Sequence, residues 1–154
     1  MKAFGFENVS VIADIGTQTG ITTIIKTPSV HGDNEQVVMR MGETSGYLLT
    51  GEEKSLYIAG DTVFFKGVAE TLNRFTPDVI ILNCCEATTP DGRLIMDLHD
   101  VESVCNICPE ATVIATHLDS VNHALLTSED IRQFVIDNNL KQLVVPHNGE
   151  WIQK

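Results

Sequence analysis

Ser55-Leu56-Tyr57-Ile58-Ala59-Gly60-Asp61-Thr62 is the stretch on which the reading of this chain turns. Ser55 to Ala59 is a short, mostly apolar run that reads as a strand. Gly60-Asp61-Thr62 stops it, because Gly and Asp favour turn geometry over a sheet ladder. N-terminal to this point the pattern is β throughout. Val9 to Ile15 alternates and is β-branched, so it reads as a strand. Gly20 to Thr27 reads as the next, and Val37 to Met41 and Gly46 to Leu49 as two more. Pro28 ends the second of these and opens a loop with His31-Gly32-Asp33-Asn34, and Gly51-Glu52-Glu53-Lys54 is a turn.

C-terminal to Asp61 the rhythm changes. Phe64 to Phe75 has helical spacing, and Asp78 to Asn83 is an apolar strand. Asp97 to Cys108 is a helix with Asp97 as N-cap and Asp100 three residues on. Ala111 to Thr116 is another apolar strand that runs into His117. Thr127 caps a helix that continues through Asn138, with Asp130 at its third position, and Leu143 to Pro146 is the last strand. Continuous apolar strands between helices indicate a buried sheet. The expected fold is therefore layered α/β, a β meander followed by alternating helices and strands, in a single domain over residues 1–154.

The composition limits the function classes. The chain has 154 residues, 43% hydrophobic and 20% charged, which suits one globular core. Ten Lys and Arg against 21 Asp and Glu give a net charge of −11. That balance opposes binding to a phosphate backbone, so no nucleic-acid partner is expected. No apolar run approaches the ~18 residues of a membrane span, and Met1-Lys2-Ala3-Phe4-Gly5 lacks the apolar region of a signal peptide. A cytoplasmic chain without membrane contact is expected. Cys84, Cys85, Cys105 and Cys108 then read as reduced thiols that pack as small hydrophobes. The Cys105-x-x-Cys108 pair falls at a helix C-terminus, where the dipole disfavours thiolates.

Chemistry-capable residues collect in similar places. His31 follows a strand, and Asp61 and His117 each stand at a strand end. In layered α/β folds functional residues gather at the carboxyl ends of strands. Two imidazoles and a carboxylate are donor types that suit zinc or another first-row metal.

Tyr57-Ile58-Ala59-Gly60-Asp61-Thr62 resembles a metal-binding motif of the metallo-β-lactamase superfamily. Thr27-Pro28-Ser29-Val30-His31-Gly32 and Val113-Ile114-Ala115-Thr116-His117-Leu118-Asp119 resemble two others, in the same order along the chain. Pro77 to Asn83, Asn122-His123-Ala124 and Val145 to Glu150 are similar to the subgroup of ascorbate-6-phosphate lactonase-like hydrolases. The resemblance implies an αββα sandwich with two metal ions, usually zinc and alternatively manganese or iron. It implies that Asp61 bridges both ions, that His31 binds one and His117 the other, and that Asp61 and His117 are catalytic. It implies hydrolysis of a lactone, ester or phosphoester of a small-molecule substrate by metal-activated water. His123, Asn122 and His99 are candidates for binding that substrate, and Asp119 for bracing His117.

The family's principal ligand motif, His-x-His-x-Asp-His, has no counterpart here. None of His31, His99, His117, His123 and His147 is separated from another by a single residue. The chain resembles the C-terminal half of a metallo-β-lactamase domain. Half a sandwich leaves one sheet face open to water. The chain is accordingly expected to form a homo-oligomer or to join a complementary N-terminal half, and alone to bind metal weakly and hydrolyse little. The alternative reading is a non-catalytic interaction subunit, or a truncated and inactive homologue. A nucleic-acid-processing role in the same superfamily is disfavoured by the charge.

Overall fold

A computed structural model of the chain describes residues 2–13 and 16–152. After a 3-10 turn at Lys2–Phe4, the elements are β1 (Thr17–Thr19), β2 (Thr22–Thr27), α1 (Glu35–Met41), β3 (Gly46–Thr50) and β4 (Leu56–Ile58). They continue with α2 (Lys66–Phe75), β5 (Val79–Asn83), β6 (Thr88–Thr89), β7 (Gly92–Arg93), α3 (Leu98–Ile107), β8 (Thr112–Thr116), α4 (Ser128–Asp137) and β9 (Leu143–Val144). Seven strands form one sheet in the order β1-β2-β3-β4-β5-β8-β9, and β6 pairs with β7 in a separate hairpin. The first four strands pair antiparallel. From β4 onward the pairing is parallel. The change falls at β4, the strand that precedes Gly60-Asp61-Thr62, and the reason is the connections. Short turns join β1 to β2 and β3 to β4, and a longer segment with α1 returns β2 to β3, whereas after β4 each connection between neighbouring sheet strands carries a helix, α2, α3 or α4, that keeps the strand direction. The mixed α/β architecture agrees with the sequence reading.

Alternation along the strands separates two sheet faces. Leu48, Tyr57, Ile80, Leu82, Val113, Ala115 and Leu143 are buried against Val68 and Leu72 of α2, Val101, Val104 and Cys105 of α3, and Ile131 of α4. The register places Tyr47, Ile58, Ile81, Ile114 and Val144 in one row on the opposite face. Those five residues are only half-buried. The strands are thus apolar on both sides, but helices cover one side only.

Three local readings change. Val37–Met41 is helical, not extended. Its β-branched Val37-Val38 pair favours a strand locally, but the Asn34 side chain accepts a hydrogen bond from Val37 N at 3.1 Å and caps a helix instead. Val9 to Ala13 forms no strand, and Asp14 and Ile15 lie outside the described residues. Pairing begins at Thr17, and the strand read from Gly20 starts at Thr22 after a turn. The β6–β7 hairpin went unread because two-residue strands carry no detectable alternation. The helix caps agree with the sequence: Asp97 accepts from Asp100 N at 2.9 Å, and Thr127 and Asp130 form a reciprocal capping box. All four cysteines are free and buried.

Candidate metal and substrate site

Chain direction brings the candidate residues to one edge. β2 is antiparallel to β3, and β3 to β4, so β2 runs the same way as β4, β5 and β8. The C-terminal ends of these strands and the segments that leave them carry His31, Asp61, Asn83 and His117. His31, Asp61 and His117 line a single cavity of about 550 Å³, together with Met41, His123 and residues from the 87–95 segment. All three are half-buried, and His123 is exposed.

The loops that bear His31 and Asp61 are stapled together. Val30 N donates to Thr62 Oγ1 at 2.9 Å, Val63 N donates to Val30 O at 2.9 Å, and Ser29 Oγ donates to Asp61 O at 3.2 Å. Thr62 is fully buried, so its hydroxyl satisfies both loops away from water. Gly60 has φ of +70°, and a Cβ there would lie 2.9 Å from Ser45 O. The Gly-Asp-Thr sequence is therefore required by backbone shape on one side and by loop bonding on the other.

Asp61 is held from β5. Asn83 Nδ2 donates to Asp61 Oδ1 at 2.7 Å. Thr116 Oγ1, at the end of β8, lies 2.9 Å from both Asn83 Oδ1 and Leu82 O, and its single hydrogen is shared between these two acceptors. The Asn83 amide is thus oriented with its oxygen to a hydroxyl and its nitrogen to the carboxylate. His117 is the first residue beyond β8 and has φ of +65°, in the left-handed region that non-glycine residues rarely adopt. Its Nδ1 lies 3.5 Å from Cys85 Sγ. Burial pushes the Cys85 thiol above its ordinary range, and the charge of Asp61 acts in the same direction. The Nδ1 edge of the ring is thus in contact with Cys85, and Nε2 is the ring nitrogen on the far side from that thiol.

Asp119 does not brace His117. Its carboxylate accepts from Ser128 N at 3.0 Å and serves the N-terminus of α4. The partner of His117 is Cys85, a residue that the sequence marks only as a core thiol. His123 lines the cavity, and its carbonyl accepts from Thr88 N at 3.0 Å. Asn122 and His99 are exposed and do not line the cavity; Asn122 Oδ1 lies 3.4 Å from His123 Nδ1. Asn83, Thr116 and Cys85 are contributions that sequence reading missed. A polar Asn at the end of an otherwise apolar strand was the one signal available for Asn83.

The donors suit a divalent cation in kind: two imidazoles and a carboxylate facing one cavity, each position braced from behind. They do not complete a cage. Among the described residues, no group of three or more His, Cys, Asp or Glu side chains could hold a metal ion. The described residues therefore fit a metal ion in donor type and not in donor number.

No family model matches the chain. The UPF0173 protein YddR of Bacillus subtilis (strain 168) is 33% identical over 153 residues, 97% of this chain and 60% of that protein. The isothiocyanate hydrolase from Delia radicum gut bacteria superposes with a TM-score of 0.88 at 34% identity, over 97% of this chain and 60% of its own. A possible metal-dependent hydrolase from Veillonella parvula DSM 2008 gives a TM-score of 0.90 at 31% identity, with the same coverage. The metallo-beta-lactamase fold protein YhfI from Bacillus subtilis superposes at 0.60 with 12% identity, over 90% of this chain and 52% of that one, a likeness of fold alone. The chain therefore has the layered α/β architecture of metallo-β-lactamase-like structures, and it spans about 60% of the length of these nearer relatives.

Proposed function

We propose that the chain belongs to the metallo-β-lactamase superfamily and carries one part of the active site of a metal-dependent hydrolase. The observation that supports this most directly is the convergence of His31, Asp61 and His117 on one cavity. On this reading Asp61 and the imidazoles of His31 and His117 would be the residues of this chain that hold divalent cations, zinc, manganese or iron. When bound, such cations supply Lewis acidity and a water acidic enough to lose a proton near neutral pH. Asn83 keeps Asp61 in place, and Cys85 keeps Nε2 of His117 toward the cavity. His123 contacts the small-molecule substrate, and the 87–95 segment excludes bulk water from its side of the cavity. The bond hydrolysed is that of a lactone, ester or comparable electrophilic centre.

The missing ligands come from a complementary N-terminal segment or chain that also covers the open sheet face. The test is to purify the chain with and without the part of YddR that lies outside the matched 60%. Stoichiometric zinc and ester hydrolysis should appear only in the pair, and Asp61→Asn should abolish both. A completed pair that neither retains metal nor turns over any ester, lactone or phosphoester would overturn the reading. The second reading, a non-catalytic interaction subunit, is favoured by one observation: no described group of three donors could hold an ion. It predicts that the chain associates through its open face without gaining metal.

A further inference from the structure

Besides the donors, the cavity has an apolar part to its lining. Met41 comes from α1, and Ala87, Leu94 and Ile95 come from the segment around the β6–β7 hairpin. Ala87, Leu94 and Ile95 belong to a small second core with Val37 and Cys85, and Met41 packs against it. This wall is consequently fixed before any ligand arrives. The hairpin is tied to α1 and its cap as well. Arg40 Nη1 pairs with Asp91 Oδ2 at 2.7 Å, Asn34 Nδ2 donates to Asp91 O at 3.0 Å, and Asp33 N donates to Arg93 O at 3.0 Å. Gly92, with φ of +149°, lets the hairpin approach so closely that a Cβ would collide with the side chains of Asn34 and Asp33.

The wall carries no fixed cation. Among the described residues that line the cavity there is no Lys or Arg, and Asp61 is the one carboxylate. The nearby arginines are committed elsewhere: Arg93 pairs with Asp100 at 2.5 Å and Asp97 at 3.4 Å, and Arg40 pairs with Asp91. An anionic group pressed against Met41, Leu94 and Ile95 would lose its hydration, and Thr88 and Thr89 of the same segment offer it neutral hydroxyls but no counter-charge. A volume of about 550 Å³ falls within the ~300–1,000 Å³ of small-molecule sites.

We propose that the part of the substrate remote from the scissile bond is uncharged and apolar, and that Met41 and the 87–95 segment select it. This rests on the hydrolase reading above, which places the reacting end at His31, Asp61 and His117. It disfavours substrates with a remote phosphate or carboxylate, including those of the ascorbate-6-phosphate lactonase type.

The test uses two probes that share one amide end, hexanamide and adipamate, the latter with a terminal carboxylate. Their dissociation constants are measured by NMR titration of the chain in EDTA, with the Met41 and Ile95 methyl resonances as reporters. Hexanamide should bind about tenfold more tightly than adipamate and shift both methyls. Met41→Lys, at a half-buried position near a helix C-terminus, should narrow or invert that ratio. Equal or tighter binding of adipamate by the unaltered chain would overturn the proposal. So would hexanamide binding that leaves both methyls unmoved, or no binding of either probe. No metal or turnover enters this measurement, so its failure is distinguishable from failure of the hydrolase reading, which metal retention and ester hydrolysis decide.

Discussion

Asn83 takes up one oxygen of Asp61, while Oδ2 receives no hydrogen bond among the described residues. The carboxylate is therefore aimed yet still able to bind. Asn83→Ala frees it and also strands the Thr116 hydroxyl from one of its acceptors. In the completed site this should weaken zinc binding about 10–100-fold, the range for lost supporting partners, as read by competition with a chromophoric chelator. Cys85→Ala removes the atom beside His117 Nδ1 and should weaken zinc in the same assay, with Cys85→Ser recovering part of the loss. Gly60→Ala tests the backbone. It places a side chain at positive φ and against Ser45 O. The expected cost is about 1–3 kcal/mol, visible as a lower urea midpoint with an unchanged slope.

Among the elements, α4 shows how a helix start is written in sequence and tuned by pH. Thr127 N donates to Asp130 Oδ2 at 2.8 Å, and Asp130 N donates to Thr127 Oγ1 at 3.2 Å. Asp119 adds a second carboxylate at Ser128 N. The hydrogen bonds from Thr127 hold the Asp130 carboxyl below its usual range, and those from Ser128 do the same for Asp119. A carboxyl lowered in the folded state contributes stability that is fully present above its unfolded pKa. That contribution is lost as pH falls through the lower, folded value. The N-terminus of α4 should thus be unchanged from neutrality down to about pH 4 and loosen below it. The Ser128 amide resonance should report the change. Thr127→Ala should cost about 1 kcal/mol in denaturant unfolding. α1 teaches the opposite lesson about legibility. Val37-Val38 argues for a strand, and only the capping Asn34 and the buried Val37 against the second core make a helix.

On the scale of the molecule, Ile80 and Ile81 are neighbours in β5 with opposite fates. Ile80 is fully buried under the helices, and Ile81 lies in the half-buried row on the open face. Exposed apolar residues elsewhere add to the same imbalance, with Phe4 at 83% and Trp151 at 89% exposure. Ile80→Asp should unfold the chain, since it buries a carboxylate with no partner. Ile81→Asp should leave the fold intact by circular dichroism. Under the proposed function it should abolish association with a second copy or a complementary segment in sedimentation velocity. No helix among the described residues is long and apolar enough to cross a membrane.

The alternation of apolar residues, the caps at Asp97 and Thr127, and the Gly60-Asp61-Thr62 stop determined the layered α/β architecture and its change of rhythm at β4. These signals are local, because each is carried by residues a few positions apart. The order of the motifs around His31, Asp61 and His117 likewise marked the three donors. Their meeting in one cavity was decided by strand direction, which restores β2 to the sense of β4, β5 and β8. The brace of Asp61 by Asn83 and of His117 by Cys85 spans 22 and 32 residues of chain, and the clamp of Arg40 on Asp91 spans 51. Contacts of that reach leave no periodicity in the sequence, and only the folded sheet brings their partners within bonding distance.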